Sequence, residues 1–201
     1  MVIGLISALT GYFICLLPER VASLYRENCM KMNGINWPEG FVPGFTDNYC
    51  SNEVIVSGLT TRDIWPLLTT PARWPDYYKN SANARYYDNK GPQLAADMRF
   101  SFETFGFHVE AQVTEYCAPD SGDVARVSWH GWSGETGSDE RLDVLHAWLV
   151  EDLPGNRVRI LTQETQNGQP AVELAKTTPN PMINGHQEWL DGLITAAKAL
   201  K

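Results

Sequence analysis

The spacing of hydrophobic and polar residues changes along the chain, and these changes indicate where strands and helices are expected. Between residues 98 and 165, apolar residues mostly alternate with polar ones, which is typical of strands with one buried face. After residue 180 the apolar positions recur at steps of three and four, and this period predicts one long amphipathic helix. Asn180 suits the N-cap of that helix, and Pro181 suits its first turn.

About seven strands are predicted, with two short helices after the first. The strands cover Tyr49–Ser57, Ala84–Tyr87, Met98–Glu103, Phe107–Thr114, Val124–Trp132, Leu142–Glu151 and Arg157–Thr165. The short helices cover 60–68 and 71–79. An antiparallel sheet of this width twists and curls, so the C-terminal helix can lie across its concave face and leave a cavity beneath. The predicted fold class is α+β, with the curved sheet wrapped around the long helix.

The first 31 residues form a separate extension. Residues 2–17 carry no charge, but this run is shorter than the roughly 20 residues of a membrane span. It also lacks the basic start and the small-residue cleavage site of a secretory signal. Three interpretations stay open: a signal anchor, an extra packed helix, and sequence upstream of a start at Met30 or Met32, which we favour. An extended arm over 32–45 then leads to the main domain, residues 46–201.

Charge and composition narrow the classes of function. The net charge is −8 and no cluster of Lys and Arg occurs, so nucleic acid is not an expected partner. The four cysteines form no Cys-x-x-Cys pair, so we expect reduced thiols and a cytoplasmic protein. The four histidines lack metal-binding spacing, so neither a metal nor a cofactor is expected. Four charged side chains fall on strand faces that are predicted to be solvent-exposed, and they should be hydrated: Arg99, Glu103, Glu110 and Arg126.

Two titratable side chains fall on apolar strand faces and are the candidate catalytic residues. By the period of two, His146 shares a face with Val150, and Glu164 shares one with Ile160. If both faces point into the cavity, burial raises the pKa of the carboxyl and lowers that of the imidazole. Such a pair could act as general acid and base in an aldol-type cyclisation or dehydration. The alternative is a structural hydrogen bond that ties two strands together.

Aromatic side chains and a second histidine are the candidate ligand contacts. Tyr77 and Tyr78 lie where the short helices should meet the cavity mouth, and as neighbours they cannot both point the same way. The other candidates are expected on the strands and on the last helix: Phe100, Phe102, Trp129, Trp148, His186 and Trp189. For the tryptophans and for His186, ordinary core packing is the alternative.

Four segments between residues 45 and 201 have a characteristic order and spacing. They are Val54–Val56 with Asp63–Leu68 and Trp74–Pro75; Phe105–Phe107 with Val113–Glu115; Arg126–Trp129 with His146–Trp148; and Gln163–Gly168 with Met182, Gly185–His186 and Trp189–Leu190. In these segments the chain resembles the SRPBCC superfamily (START-like, helix-grip fold), in its polyketide cyclase/dehydrase-like bacterial branch. The resemblance implies a helix-grip ligand-binding domain. It does not fix an activity, because the superfamily includes cyclases, lipid carriers, ring-hydroxylase subunits and chaperone activators.

We therefore expect a domain that binds a small hydrophobic molecule, aromatic or polyketide-like, between the sheet and the C-terminal helix. Whether it also catalyses cyclisation or dehydration is left open. One alternative is a protein-interaction module of the chaperone-activator type that works through its outer surface. Another is a membrane-tethered lipid carrier, which requires residues 2–17 to be retained as an anchor. A homodimer is also left open.

Overall fold

One seven-stranded antiparallel sheet forms the frame of the domain. The computed structural model describes residues 34–88, 90–121 and 124–201. The strands are β1 (Asn48–Ser57), β2 (Ser81–Tyr86), β3 (Arg99–Thr104), β4 (Phe107–Cys117), β5 (Val124–Ser133), β6 (Leu142–Leu153) and β7 (Arg157–Asn167). Their spatial order is β1-β7-β6-β5-β4-β3-β2, so the first and last strands are neighbours. The prediction of a curved antiparallel sheet of about seven strands is confirmed.

The helices lie in the connections and at the C-terminus. α1 (Thr61–Leu68) and a 3-10 helix (Pro71–Asp76) follow β1; a second 3-10 helix (Pro119–Ser121) follows β4; α2 (Gln169–Lys176) and α3 (Pro181–Ala199) follow β7. The Asp63 carboxylate accepts a hydrogen bond from the Thr60 N–H at 2.7 Å, which fixes the start of α1. The first 3-10 helix ends before Lys79, the predicted limit. Pro75 has no N–H to donate to an α-helical partner, so this segment stays short.

α3 packs on the inner face of the sheet through the apolar stripe that its sequence predicts. The buried side chains of α3 include His186, Trp189, Leu190 and Leu193. Gly192 allows α3 to lie close to the end of the first 3-10 helix, because a Cβ at position 192 would overlap the carbonyl oxygen of Tyr77. The space between α3 and the inner face therefore holds both the main core and any site beneath the helix.

Residues 34–47 cover part of the opposite, outer face of the sheet. Ile35 belongs to a small apolar cluster there, and Asn36 donates a hydrogen bond to Glu115 Oε1 at 2.6 Å. The same carboxylate oxygen lies 2.8 Å from Nε of Arg126, whose side chain is fully buried. The prediction that Arg126 is solvated is therefore wrong. Alternation identifies the second face of a strand, but it does not reveal a chain segment that covers that face.

The cysteines differ from the sequence-based expectation of four reduced thiols. Cys50 is free and buried, whereas Cys117 is disulfide-bonded. Disulfides persist mainly in oxidising compartments, so the cysteines do not support the predicted cytoplasmic location.

The N-terminal extension, residues 1–31, lies outside the described residues. Its three interpretations and the domain boundary at residue 46 remain predictions. Among the described helices, none combines the length and the apolar composition that crossing a membrane requires.

Candidate functional site

One row of inner-face side chains crosses four neighbouring strands. The register pairs Trp129 on β5 with His146 on β6, His146 with Glu164 on β7, and Glu164 with Cys50 on β1. Directly opposed residues of an antiparallel sheet have Cβ atoms about 5 Å apart, so the register brings these groups into contact. The sequence period assigns His146 and Glu164 to apolar faces, and the strand order makes them direct neighbours.

α3 adds a second imidazole to this row. His186 is 2% exposed, and its ring stacks on that of His146 with centroids 4.6 Å apart and 18° between the planes. Glu164 Oε2 lies 3.1 Å from His146 Nδ1 and 3.4 Å from His186 Nε2. On its far side, His146 Nε2 lies 2.8 Å from Thr162 Oγ1. We refer to His146, Glu164 and His186 as the His–Glu–His cluster.

A chain of side-chain amides connects the cluster to the first turn of α3. The side-chain N–H of Gln166 donates to Glu164 Oε1, and Gln166 Oε1 accepts from Asn48 at 2.7 Å. Asn48 Oδ1 in turn accepts from Asn180 Nδ2 at 2.9 Å. Asn180 also caps α3, because its Oδ1 accepts from the Met182 N–H at 3.0 Å. The position of the Glu164 carboxylate is thus tied to the start of the helix.

Burial determines the charge state of the His146 imidazole. Loss of hydration, and then the neighbouring His186, hold the pKa of His146 well below its ordinary value of 6.5. His146 is therefore neutral at pH 7. A neutral imidazole carries one N–H and one lone pair, so it can give or take a proton when a partner changes its charge.

The cluster has the residue types of a metal site, but its geometry does not suit one. Its ligand atoms lie within 4.8 Å of one another, and all three residues are buried. Imidazole nitrogens bind a metal through lone pairs that lie in the ring plane. Two rings stacked at 18° do not direct those lone pairs to a common point. The arrangement suits hydrogen bonding and proton exchange, and the expectation of no metal stays a prediction.

A cavity of about 550 Å³ lies beside the cluster, between α3 and the sheet. This volume is within the usual range for small-molecule sites. The wall is mainly apolar and includes Phe102, Phe105, Val109, Trp129, Val144 and Trp189. Glu140, Glu164 and Glu173 also border the cavity, whereas no Lys or Arg of the described residues does.

The structure brings most of the predicted site residues to this cavity. His146 and Glu164 border it, and so do five of the predicted ligand contacts: Tyr78, Phe102, Trp129, His186 and Trp189. Of the adjacent tyrosines, only Tyr78 faces the cavity, because the Tyr77 hydroxyl donates to the Leu67 carbonyl at 3.1 Å. Phe100 and Trp148 do not border it. Both are fully buried in the aromatic core, so we reassign them from ligand contact to packing.

Other residues of the site were missed by sequence reasoning. Cys50, Gln166 and Asn48 join the cluster through the pairing of β1 with β7, which the sequence period does not reveal. Phe105 was not predicted to contact a ligand, but it borders the cavity and packs on Gly185 of α3. The period of two indicates that Asn48 and Cys50 share one face of β1 and that Gln166 shares a face of β7 with Glu164. It does not indicate that β1 and β7 are neighbours in the sheet.

Comparisons with known proteins place the fold. Neither the protein-family models nor the curated proteins yield a match. The crystal structure of the hypothetical protein jhp0584 of Helicobacter pylori has a TM-score of 0.78 and 50% identity, over 84% of this chain and 98% of that one. The di-domain ARO/CYC protein BexL of the BE-7585A biosynthetic pathway has a TM-score of 0.54 and 9% identity, over 75% of this chain and 46% of that one. Truncated norcoclaurine synthase of Thalictrum flavum has a TM-score of 0.50 and 13% identity, over 76% of this chain and 92% of that one.

The curved seven-stranded sheet, the long C-terminal helix and the short helices after β1 define the helix-grip fold that the resemblance implied. BexL and norcoclaurine synthase share this fold at identities too low to say more. Within the fold class, the chain belongs to the same family as the Helicobacter pylori protein, since half of the aligned residues are identical and nearly the whole of that protein is covered.

Proposed function

We propose that this protein binds a small, largely apolar aromatic molecule in the cavity under α3, and that the His–Glu–His cluster transfers protons to and from it. The observation that carries the proposal is the position of buried Glu164 and His146 on the wall of an apolar cavity. Apolar walls with a few convergent polar groups are typical of small-molecule sites. Norcoclaurine synthase, which its name describes as an enzyme, has the same fold, so this fold can host catalysis.

Glu164 is the group placed to accept a proton. Its Oε1 is occupied by Gln166, whereas Oε2 lies beside the imidazoles of His146 and His186. A ligand with a C–H next to a carbonyl could lose that proton to Oε2, and the imidazole of His146 could carry it onward. Removal of such a proton is the first step of an aldol-type cyclisation. The same residues could therefore serve cyclase-like chemistry, which is one of the activities found in the superfamily that the chain resembles.

Binding can be tested without knowing the natural ligand. Native mass spectrometry of the purified protein should reveal a co-purified hydrophobic molecule. A thermal-shift screen of neutral two- and three-ring aromatic compounds should find stabilising ligands, because a ligand that binds only the folded state raises its stability. A protein that is free of ligand and gives a flat response across such a library would contradict the proposal.

Proton transfer can be tested with 2-acetylnaphthalene, whose methyl group lies next to a carbonyl. We expect the protein to catalyse exchange of these methyl protons in D₂O, followed by NMR. Glu164→Gln should lower the rate about a hundredfold or more, which is the usual contribution of a general base, and His146→Ala should also abolish turnover. His108→Ala, on an exposed residue, is the control. If both site variants unfold, as judged by circular dichroism, the pair is structural.

A further inference from the structure

His186 has one satisfied and one unsatisfied ring nitrogen. Nδ1 lies 3.4 Å from Cys50 Sγ. Nε2 is buried and has no hydrogen-bond partner among the described residues, because Glu164 Oε2 at 3.4 Å lies outside hydrogen-bond geometry. A buried polar atom without a partner is costly, and His186 borders the cavity. A group that enters the cavity is therefore the natural partner of Nε2.

The contact between Cys50 and His186 bears on which ring nitrogen of His186 carries the proton. Burial raises the pKa of the Cys50 thiol, and the charge of Glu164 raises it further, so the sulfur keeps its proton at neutral pH. A protonated thiol can donate through S–H, and His186 Nδ1 lies within reach as the acceptor. A neutral imidazole has a single N–H. When Nδ1 accepts, that N–H is on Nε2 of a residue that borders the cavity.

The charges around the cavity limit what can accept from this N–H. Three carboxylates border the cavity, from Glu140, Glu164 and Glu173, and no Lys or Arg of the described residues does so. His146 is neutral and offers no positive charge. A ligand carboxylate would lose its hydration next to negative charges and without a counter-ion. A ketone oxygen accepts a hydrogen bond without bringing a charge.

We propose that Cys50 is a positioning residue that holds His186 as an Nε2–H donor, and that this donor selects aromatic ligands carrying a neutral ketone oxygen. The inference rests on the proposed function, since the cavity must first take up an aromatic molecule. It goes further by naming the ligand group that is recognised, the residue that donates to it and the residue that positions this donor. β1 supplies Cys50 and α3 supplies His186, so the recognition also depends on how the helix sits on the sheet.

Three naphthalenes of nearly equal shape separate these contributions. In 2-isopropenylnaphthalene, 2-acetylnaphthalene and 2-naphthoate, the same position carries a CH₂ group, a ketone oxygen and a carboxylate. In calorimetric titrations at neutral pH, the ketone should bind about tenfold more tightly than the isopropenyl compound, which corresponds to one net hydrogen bond. The naphthoate should bind more weakly than either. The cation 1-(2-naphthyl)ethylamine tests the opposite preference.

Variants at Cys50 test the positioning role. Cys50→Ser keeps an O–H donor for Nδ1 and should retain the preference for the ketone. Cys50→Ala removes the donor and should lower that preference several-fold, while affinity for the isopropenyl compound stays within about twofold. ¹⁵N NMR of the imidazole should show His186 protonated on Nε2 in the native protein and in Cys50→Ser, and a mixture of tautomers in Cys50→Ala.

The outcomes separate this inference from the proposed function. If none of the probes binds, both are overturned. If the isopropenyl compound binds and the ketone has no advantage, or if the naphthoate or the amine binds most tightly, only this inference is overturned. A native spectrum with the proton on His186 Nδ1 overturns it as well, and that measurement does not depend on the folding of any variant.

Discussion

The space between α3 and the sheet is packed solid at one end and hollow at the other. At the packed end, the Trp74 ring stacks on Trp129 at 5.5 Å and meets Trp189 edge-on at 4.9 Å. At the open end, Glu164 and His186 border a cavity of about 550 Å³. Trp129 and Trp189 belong to both ends, since each packs on one side and borders the cavity on the other.

On β6, and between Trp129 and Gly131 on β5, the inward side chains become smaller towards the open end. On β6 the side chains that point inward are, in order towards the open end, Trp148, His146 and Val144. On β5 the next inward-pointing position after Trp129 is Gly131. A Cβ at Gly131 would lie 3.2 Å from Val109. Steps of two residues along a strand therefore lead from a stabilising core to a binding cavity. The comparison predicts that stability and ligand binding can be changed separately in this protein.

The largest expected effect is on the packed end. Trp74 is fully buried and its indole N–H donates to the Leu68 carbonyl at 2.8 Å. Trp74→Ala should lower the free energy of unfolding by about 3–5 kcal/mol, because it leaves a large cavity. Val144→Ala at the open end, where space already exists, should cost less than about 1 kcal/mol. Urea unfolding measures both values, and equal losses would contradict the contrast between the two ends.

Filling the open end should affect binding and spare the fold. Val144→Trp places a large side chain in the cavity and should weaken binding of 2-isopropenylnaphthalene at least about tenfold, that is by about 1.4 kcal/mol or more. Ile55→Trp, on a side chain that is 50% exposed, is the matched control and should bind as the native protein does. Calorimetric titration measures the affinities. Unchanged affinity in Val144→Trp would place the ligand elsewhere.

Most of the fold could be predicted from the sequence because periods of two and of three to four residues are local signals. The same signal placed His146 and Glu164 on inward faces. It could not show that β1 pairs with β7, which brings Cys50 opposite Glu164. It also could not show that a chain segment covers Arg126, or which of the inward aromatic residues fill the core and which leave space. These features depend on contacts between residues far apart in the chain.

The depressed pKa of His146 should make stability depend on pH. Below its ordinary value of 6.5, the unfolded chain takes up a proton at this residue that the folded protein does not. The contribution is fully present above that pH and is lost as the pH falls towards the folded pKa, by up to about 1.4 kcal/mol per pH unit. His146→Asn should flatten the slope of unfolding free energy between about pH 7 and about pH 5.5. His108→Asn, on a residue whose side chain is exposed, is the control, and an identical slope in His146→Asn and the native protein would show that His146 is not the group responsible.

The smallest expected effect tests whether the open end depends on the first turn of α3. Asn180 does two things: its Oδ1 caps the helix, and its Nδ2 holds Asn48 in the amide chain that ends at Glu164. Asn180→Ala removes both contacts and should lower the free energy of unfolding by about 1 kcal/mol. Asn180→Asp keeps the cap acceptor but replaces the donor to Asn48 with a carboxylate oxygen, so it should lose less stability than Asn180→Ala.

These two variants separate the cap from the amide chain. Both should slow the methyl exchange of 2-acetylnaphthalene by a similar factor of about two to three, since a charge-assisted hydrogen bond that positions Glu164 is weakened in each. If Asn180→Asp instead exchanges at the native rate, the start of α3 does not position the carboxylate. The open end would then be organised by the sheet alone, and the row from Trp129 to Cys50 would suffice to build it.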